Sequence, residues 1–243
     1  MNVRAAAVGQ GWQWIVNGFS LFRKAPLMWV ALSIVLVLLW MVSFLLPVIG
    51  PLLFNLLSPV LFAGLMLGCK AVESDEDLEI SHLFAGFRKH ASALVTVGGV
   101  YLVGTIVIVG IIFVTAGGSM LPAVLSKSQT DLQTLGAAMR SMALALSVGF
   151  AFYIPLAMLI WFAPVLVVLH DMAPMAAMKL SFRACWANLM PFLVYGLAVL
   201  VLWFVASIPL LLGLVVLVPV LICSVYASYR DIFAAGSGSP SPG

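Results

Sequence analysis

Residues 25–69 read APLMWVALSIVLVLLWMVSFLLPVIGPLLFNLLSPVLFAGLMLGC, 45 positions between Lys24 and Lys70 without a single Asp, Glu, Lys or Arg. A helix needs roughly 20 apolar residues to cross a bilayer, so this run is long enough for two crossings. Pro47, Gly50 and Pro51 near its middle supply the fixed φ and the backbone freedom of a reversal. The stretch reads as a membrane-spanning helical hairpin. A second silent run of 46 residues, between Arg183 and Arg230, has Ser207, Pro209 and Gly213 at its centre and reads the same way. Two further apolar stretches, Ala91 to Val114 and Ser147 to Leu169, hold one span each. They are separated by a polar segment at 115–146 that contains Lys127, Asp131 and Arg140. The fold class is therefore an all-α integral membrane protein with six spans, at about 27–46, 51–69, 91–114, 147–169, 191–208 and 211–229. One membrane domain covers 1–235, and the Ser, Gly and Pro of 236–243 read as a disordered tail.

Composition agrees. Of 243 residues 64% are hydrophobic and 8% charged, whereas soluble chains are nearer half apolar and a quarter charged. A net charge of +3, scattered along the chain, excludes a nucleic-acid partner and leaves lipid. The period-two alternation of a β-barrel is absent. The first apolar run begins only after Arg23 and Lys24 and continues through a full span, so it stays in the membrane. With both termini on one side, that side holds nine of the eleven cations, all but Lys127 and Arg140, and it is expected to be cytoplasmic.

Short words recur. Phe-Arg stands at 22–23, 87–88 and 182–183, each before an odd-numbered span, and Pro-Val-Leu at 59–61, 164–166 and 219–221, each within an even-numbered one. The two words are 37 residues apart in the first and third cases and 77 in the second. This spacing predicts three parallel repeats, about 10–69, 79–169 and 174–229, each an interfacial helix followed by a hairpin. In the first, Gln10, Gln13, Asn17, Ser20 and Lys24 share one helical face, and Trp12, Ile15, Val16, Phe19 and Phe22 the other. Trp12, Trp14, Phe19, Phe22, Arg23, Arg88 and Arg183 are the expected interfacial anchors.

Little in the sequence points to chemistry. The spans contain no Asp, Glu, Lys or Arg of the kind that marks an ion or proton pathway. The polar residues at depth, among them Asn55, Ser58, Tyr101, Thr105, Tyr153 and Ser224, can hydrogen-bond between helices or back to carbonyls. There is no Ser-His-Asp order, HExxH or Walker loop, and the chain is expected not to be an enzyme. His90 and His170 could approach one another at one face, but no metal or cofactor site is expected. Cys69, Cys185 and Cys223 lack CxxC spacing, and no structural disulfide is expected. The sharper feature is proline. Pro59, Pro164 and Pro219 each remove a backbone donor and free the carbonyls of Asn55, Ile160 and Val215. The bends either enclose a cavity or only shape packing. Gly64 and Gly68 stand at the spacing of close helix contact.

GWQWIVNGFSLFRKAPLMW at 11–29, with SPVLFAGLMLGCKAVESDEDLEISHLFAGFRK at 58–89, resembles an uncharacterised family of small six-span bacterial inner-membrane proteins. More distantly the layout is similar to the membrane domain fused to some glycerophosphodiester phosphodiesterases, whose catalytic barrel is absent here. The resemblance implies a bacterial inner-membrane location and no particular activity. The function expected first is a non-enzymatic accessory or scaffold that holds another membrane protein; the alternative is a carrier or exporter of an apolar or amphiphilic small molecule or lipid.

Overall fold

The computed structural model describes residues 2–125, 132–208 and 212–234, and among these there is no strand. Within them ten α-helices carry the chain: α1 Gln10–Lys24, α2 Pro26–Ser43, α3 Ile49–Glu73, α4 Ala85–Lys89, α5 Ala91–Leu125, α6 Leu132–Ile160, α7 Ala163–His170, α8 Pro174–Ala187, α9 Leu189–Ser207 and α10 Leu212–Tyr229. A 3-10 turn, Ile80–Phe84, leads into α4, and a π turn, Arg230–Ala234, follows α10. Six of the described segments are long and apolar enough to cross a membrane: Pro26–Ser43, Ile49–Glu73, Ala91–Ala116, Gly136–His170, Leu189–Ser207 and Gly213–Phe233. The expected tail at 236–243 and Pro209 of the last hairpin lie outside the described residues.

Two boundaries differ from the sequence reading. Between Val114 and Ser147 the helices run on, α5 to Leu125 and α6 from Leu132, because the Ala, Leu and Met that flank the polar residues keep helical propensity. The fourth span is two helices, broken at Trp161 and Phe162 ahead of Pro164.

The spans sort by parity. Half of each even-numbered span is buried, against 17%, 11% and 11% of the first, third and fifth. The even spans form an inner core, and the odd ones present Val, Leu and Phe to lipid. The short helices close the assembly around this core. Helix α1 packs on α9 and α10, the 3-10 turn and α4 pack on α3, and α8 packs on α6 and α7.

Close approach at these seams is made by missing side chains. A Cβ on Gly11 would overlap the Pro191 carbonyl oxygen, and one on Gly18 would lie 2.6 Å from the Ser224 nitrogen. At Gly64 a Cβ would run into the carbonyl oxygens of His82 and Leu83. Gly64 therefore receives the 3-10 turn, while a Cβ on Gly68 would meet Leu78 at 2.8 Å and the Trp29 ring of α2 at 3.8 Å.

The face of α1 that enters the protein is Gly11, Trp14, Ile15, Gly18 and Phe22. This corrects the expected set of membrane anchors. Trp14 is 0% exposed and Phe22 6%, whereas Trp12 and Phe19 remain exposed. Small residues at 11 and 18 let α1 sink into the bundle, and that turns the intervening Trp14 inward.

The first and last described segments lie together. Arg4 pairs with Asp231 at 3.1 Å, and the Arg4 amide donates to the Ile232 carbonyl at 3.0 Å. Asn188, fully buried, accepts from the Ala6 amide at 2.7 Å and donates to the Arg4 carbonyl at 3.0 Å. At the first hairpin the Ile49 amide reaches the Pro47 carbonyl at 2.8 Å across Val48, whose φ of 67° is unusual for a β-branched residue.

Candidate functional site

Proline governs the middle of the core. In α3, Pro59 cannot donate to the Asn55 carbonyl, and the Ser58 hydroxyl does so instead at 2.9 Å. At the α6–α7 break a neighbouring helix supplies the missing partners. The Ser181 hydroxyl of α8 accepts from the Phe162 amide at 2.9 Å and donates to the Met158 carbonyl at 2.7 Å. In α10 the Ser224 hydroxyl, five residues after Pro219, donates to the Leu221 carbonyl at 2.7 Å and sits 2.7 Å from the Tyr195 hydroxyl. Serine hydroxyls thus serve backbone groups near Pro59, at the α6–α7 break and near Pro219, in line with the need to satisfy backbone polarity inside hydrocarbon.

Between α3 and the α6–α7 break lies an open cavity of about 380 Å³. Leu36, Phe54, Ser58, Pro59, Phe62, Leu65, Tyr101, Tyr153, Ala157, Ile160, Trp161, Pro164 and Val225 line it. The lining comes from the middle of the spans, so the cavity sits near mid-depth. Its polar side-chain atoms are the hydroxyls of Ser58, Tyr101 and Tyr153 and the indole of Trp161, and among the described residues no carboxylate, amine, imidazole or thiol lines it. Pro59 and Pro164 are brought together here. Pro219 is buried but outside the lining, and so is the Asn55 side chain, whose Oδ1 is buried without a partner among the described residues.

The aromatic residues next to the cavity form one cluster. Trp161 meets Phe192 with ring centroids 5.7 Å apart and Tyr195 at 6.4 Å, and Trp14 meets Phe192 at 5.1 Å. The fourth span is thereby tied to α9 and α1.

A second, polar pocket of about 500 Å³ lies where α1 meets the ends of α3 and α10, lined by Gln10, Asn17, Leu21, Glu73, Tyr226, Ala227, Arg230 and Asp231. Its charges neutralise one another. Glu73 pairs with Arg230 and accepts from the Tyr226 hydroxyl at 2.8 Å, while Asp231 takes Arg4 and the Trp14 indole N–H at 2.9 Å.

The histidines are occupied separately. His90 Nε2 lies 3.0 Å from Asp171, His170 bonds the Tyr229 hydroxyl, and His82 and Glu79 cap the 3-10 turn reciprocally. Among the described residues no group of three or more His, Cys, Asp or Glu could hold a metal ion. The three cysteines are buried, with Cys69 in α3 against Cys223 in α10. Burial pushes the Cys185 thiol, in α8, up to about 12.

Ser181 escapes a reading of the sequence, where its one signal is position, directly before the third Phe-Arg. Tyr101 and Tyr153 stand out there only as polar residues at depth, and the structure turns both toward the cavity.

Six apolar spans around a buried core with a closed polar seam define a multi-pass integral membrane protein. A "Probable inner membrane protein" of Burkholderia thailandensis is 31% identical over 258 aligned residues, which cover 96% of this chain and 94% of that relative. The chain belongs to the family of that bacterial inner-membrane protein. No family model matches it, and no solved structure does.

Proposed function

We propose that this chain is a non-enzymatic inner-membrane protein that binds an apolar or amphiphilic small molecule or lipid in the mid-depth cavity and carries it within or across the bilayer. The observation that carries the reading is the cavity itself. Its volume is in the range of small-molecule sites, its walls are apolar, and its few hydroxyls can orient a ligand. Two prolines at matching positions in successive hairpins, Pro59 inside α3 and Pro164 in the first turn of α7, line it.

The architecture supporting it is three repeats closed into a ring, in which each interfacial helix docks on the preceding hairpin. Two matching contacts support that arrangement. Gly18, four residues before Phe22, meets Ser224, five after Pro219; Leu83, four before Phe87, meets Gly64, five after Pro59. The same positions touch in two of the three seams. Both termini are taken as cytoplasmic, because their face holds nine of the eleven cations.

The test is protection of a cysteine in the lining. Ala157→Cys, with the three natural cysteines replaced by Ala, is reacted with a maleimide in nanodiscs. Dodecanol and a total bacterial lipid extract are the probes. Slower labelling with either supports binding, and unchanged labelling with both overturns it.

The accessory reading keeps one observation in its favour. A methyl added at Gly110 of α5 or Gly196 of α9 would meet nothing within 4 Å. Both glycines lie on lipid-facing spans, where another membrane helix could pack closely. Gly196→Leu would then abolish co-purification of a partner.

A further inference from the structure

Four cations on the face that holds the termini are paired: Arg4, Lys24, Lys89 and Arg230 meet Asp231, Asp75, Asp171 and Glu73. Arg23, Arg88 and Arg183 are exposed and have no carboxylate or other hydrogen-bonding partner among the described residues. These are the arginines of the three Phe-Arg words. An even number of spans separates each from the next, so all three lie on one face of the membrane, just ahead of a span.

Each also stands one helical turn from an exposed aromatic ring. Phe19 and Phe84 stand four residues before Arg23 and Arg88, and Trp186 three after Arg183, so each exposed ring shares a helical face with its arginine. Phe22, on the buried side of α1, backs the first ring at 6.2 Å, and Phe87 and Phe182 lie 6.4 and 6.1 Å from the other two. Aromatic rings settle at the boundary between headgroups and acyl chains, and a guanidinium matches a phosphate with two parallel hydrogen bonds.

We propose that each of these three corners binds the phosphate of one anionic phospholipid, giving a collar of three lipid sites around the molecule. Charge selects the lipid: a zwitterionic headgroup carries its own cation beside the phosphate, whereas a phosphatidylglycerol phosphate is free to take the arginine. Lys179, exposed one turn before Arg183, adds charge to the third corner. Lys70 is exposed on the same face and unpaired among the described residues, but no aromatic residue stands one turn from it along the helix, and it serves as the comparison.

The experiment is native mass spectrometry of the protein from nanodiscs of phosphatidylcholine and phosphatidylglycerol in equal parts. Three retained phosphatidylglycerol molecules are expected, each favoured about fivefold over phosphatidylcholine. Arg23→Gln, Arg88→Gln and Arg183→Gln should each remove one, and the triple variant all three, while Lys70→Gln leaves three and millimolar inorganic phosphate does not compete. The substituted side chains are exposed, and an unchanged circular dichroism spectrum and elution volume check the fold. Equal retention of the two lipids, a loss in Lys70→Gln as large as in the arginine variants, or displacement by phosphate would each overturn the collar.

Discussion

Ser181 is the side chain on which the broken fourth span depends. Its single hydroxyl serves a backbone N–H and a backbone C=O of the α6–α7 junction, and Ser181→Ala leaves both without that partner in a buried site. A loss of about 1–3 kcal/mol is expected, measured by unfolding in mixed micelles. Trp14 is the second such residue. Trp14→Phe keeps the ring packing but removes the N–H to Asp231, and a loss of about 1 kcal/mol is expected in the same assay. Cys185 ties pH to stability. Its folded pKa of about 12 stands above its ordinary 9.0, so above that ordinary value the unfolded chain releases a proton that the folded chain keeps. Its contribution is complete below pH 9.0 and is lost as pH rises toward 12. Maleimide labelling of Cys185 at about pH 8, below that ordinary value, should therefore stay slow until the protein is denatured.

Between helices, the seams are set by glycine. Gly98 of α5 offers no room for a methyl, since a Cβ would overlap the Leu56 carbonyl oxygen of α3, whereas Gly110 of the same helix has nothing within 4 Å. Gly98→Ala should cost about 1–3 kcal/mol by overpacking, and Gly110→Ala close to nothing, both read by unfolding in mixed micelles. The spans are legible because runs free of charge have only one use at that length, and the hairpins because proline and glycine punctuate them. The orientation of α1 is not. Its polar residues recur at helical spacing, but Gly11 and Gly18 mark a third face that hydropathy alone does not distinguish from the lipid-facing one. Trp12 and Trp14 are two residues apart, about 200° around the helix, and only the partner helices decide which one is buried. Replacing Trp12 and Phe19 by Ala should consequently leave the fold intact, whereas adding Trp14→Ala should not, as followed by thermal unfolding in nanodiscs.

Across all six spans, the repeated Phe-Arg and Pro-Val-Leu words fall in two places: the short helices that precede the odd spans, and the core where the even spans meet. Their recurrence is readable along the chain, but the cavity is not. It lies between the first and second hairpins, lined by Pro59 and Pro164 together with tyrosines from α5 and α6, and Pro219 stays outside it in α10, which packs against α1 and α9. A void of this kind depends on which helices become neighbours, and spacing along one chain does not specify that. Topology is tested by fusing a green fluorescent protein after residue 234. Fluorescence in intact cells is expected for termini on the cytoplasmic side.

Native mass spectrometry of the protein taken directly from its own membrane into nanodiscs asks whether the mid-depth cavity holds a ligand. A small molecule or a selected lipid bound one to one is expected, and Ala157→Trp, which fills the cavity, should remove it. A stoichiometric second protein with no retained small molecule, or a ligand kept unchanged by Ala157→Trp, would refute a carrier built on this cavity.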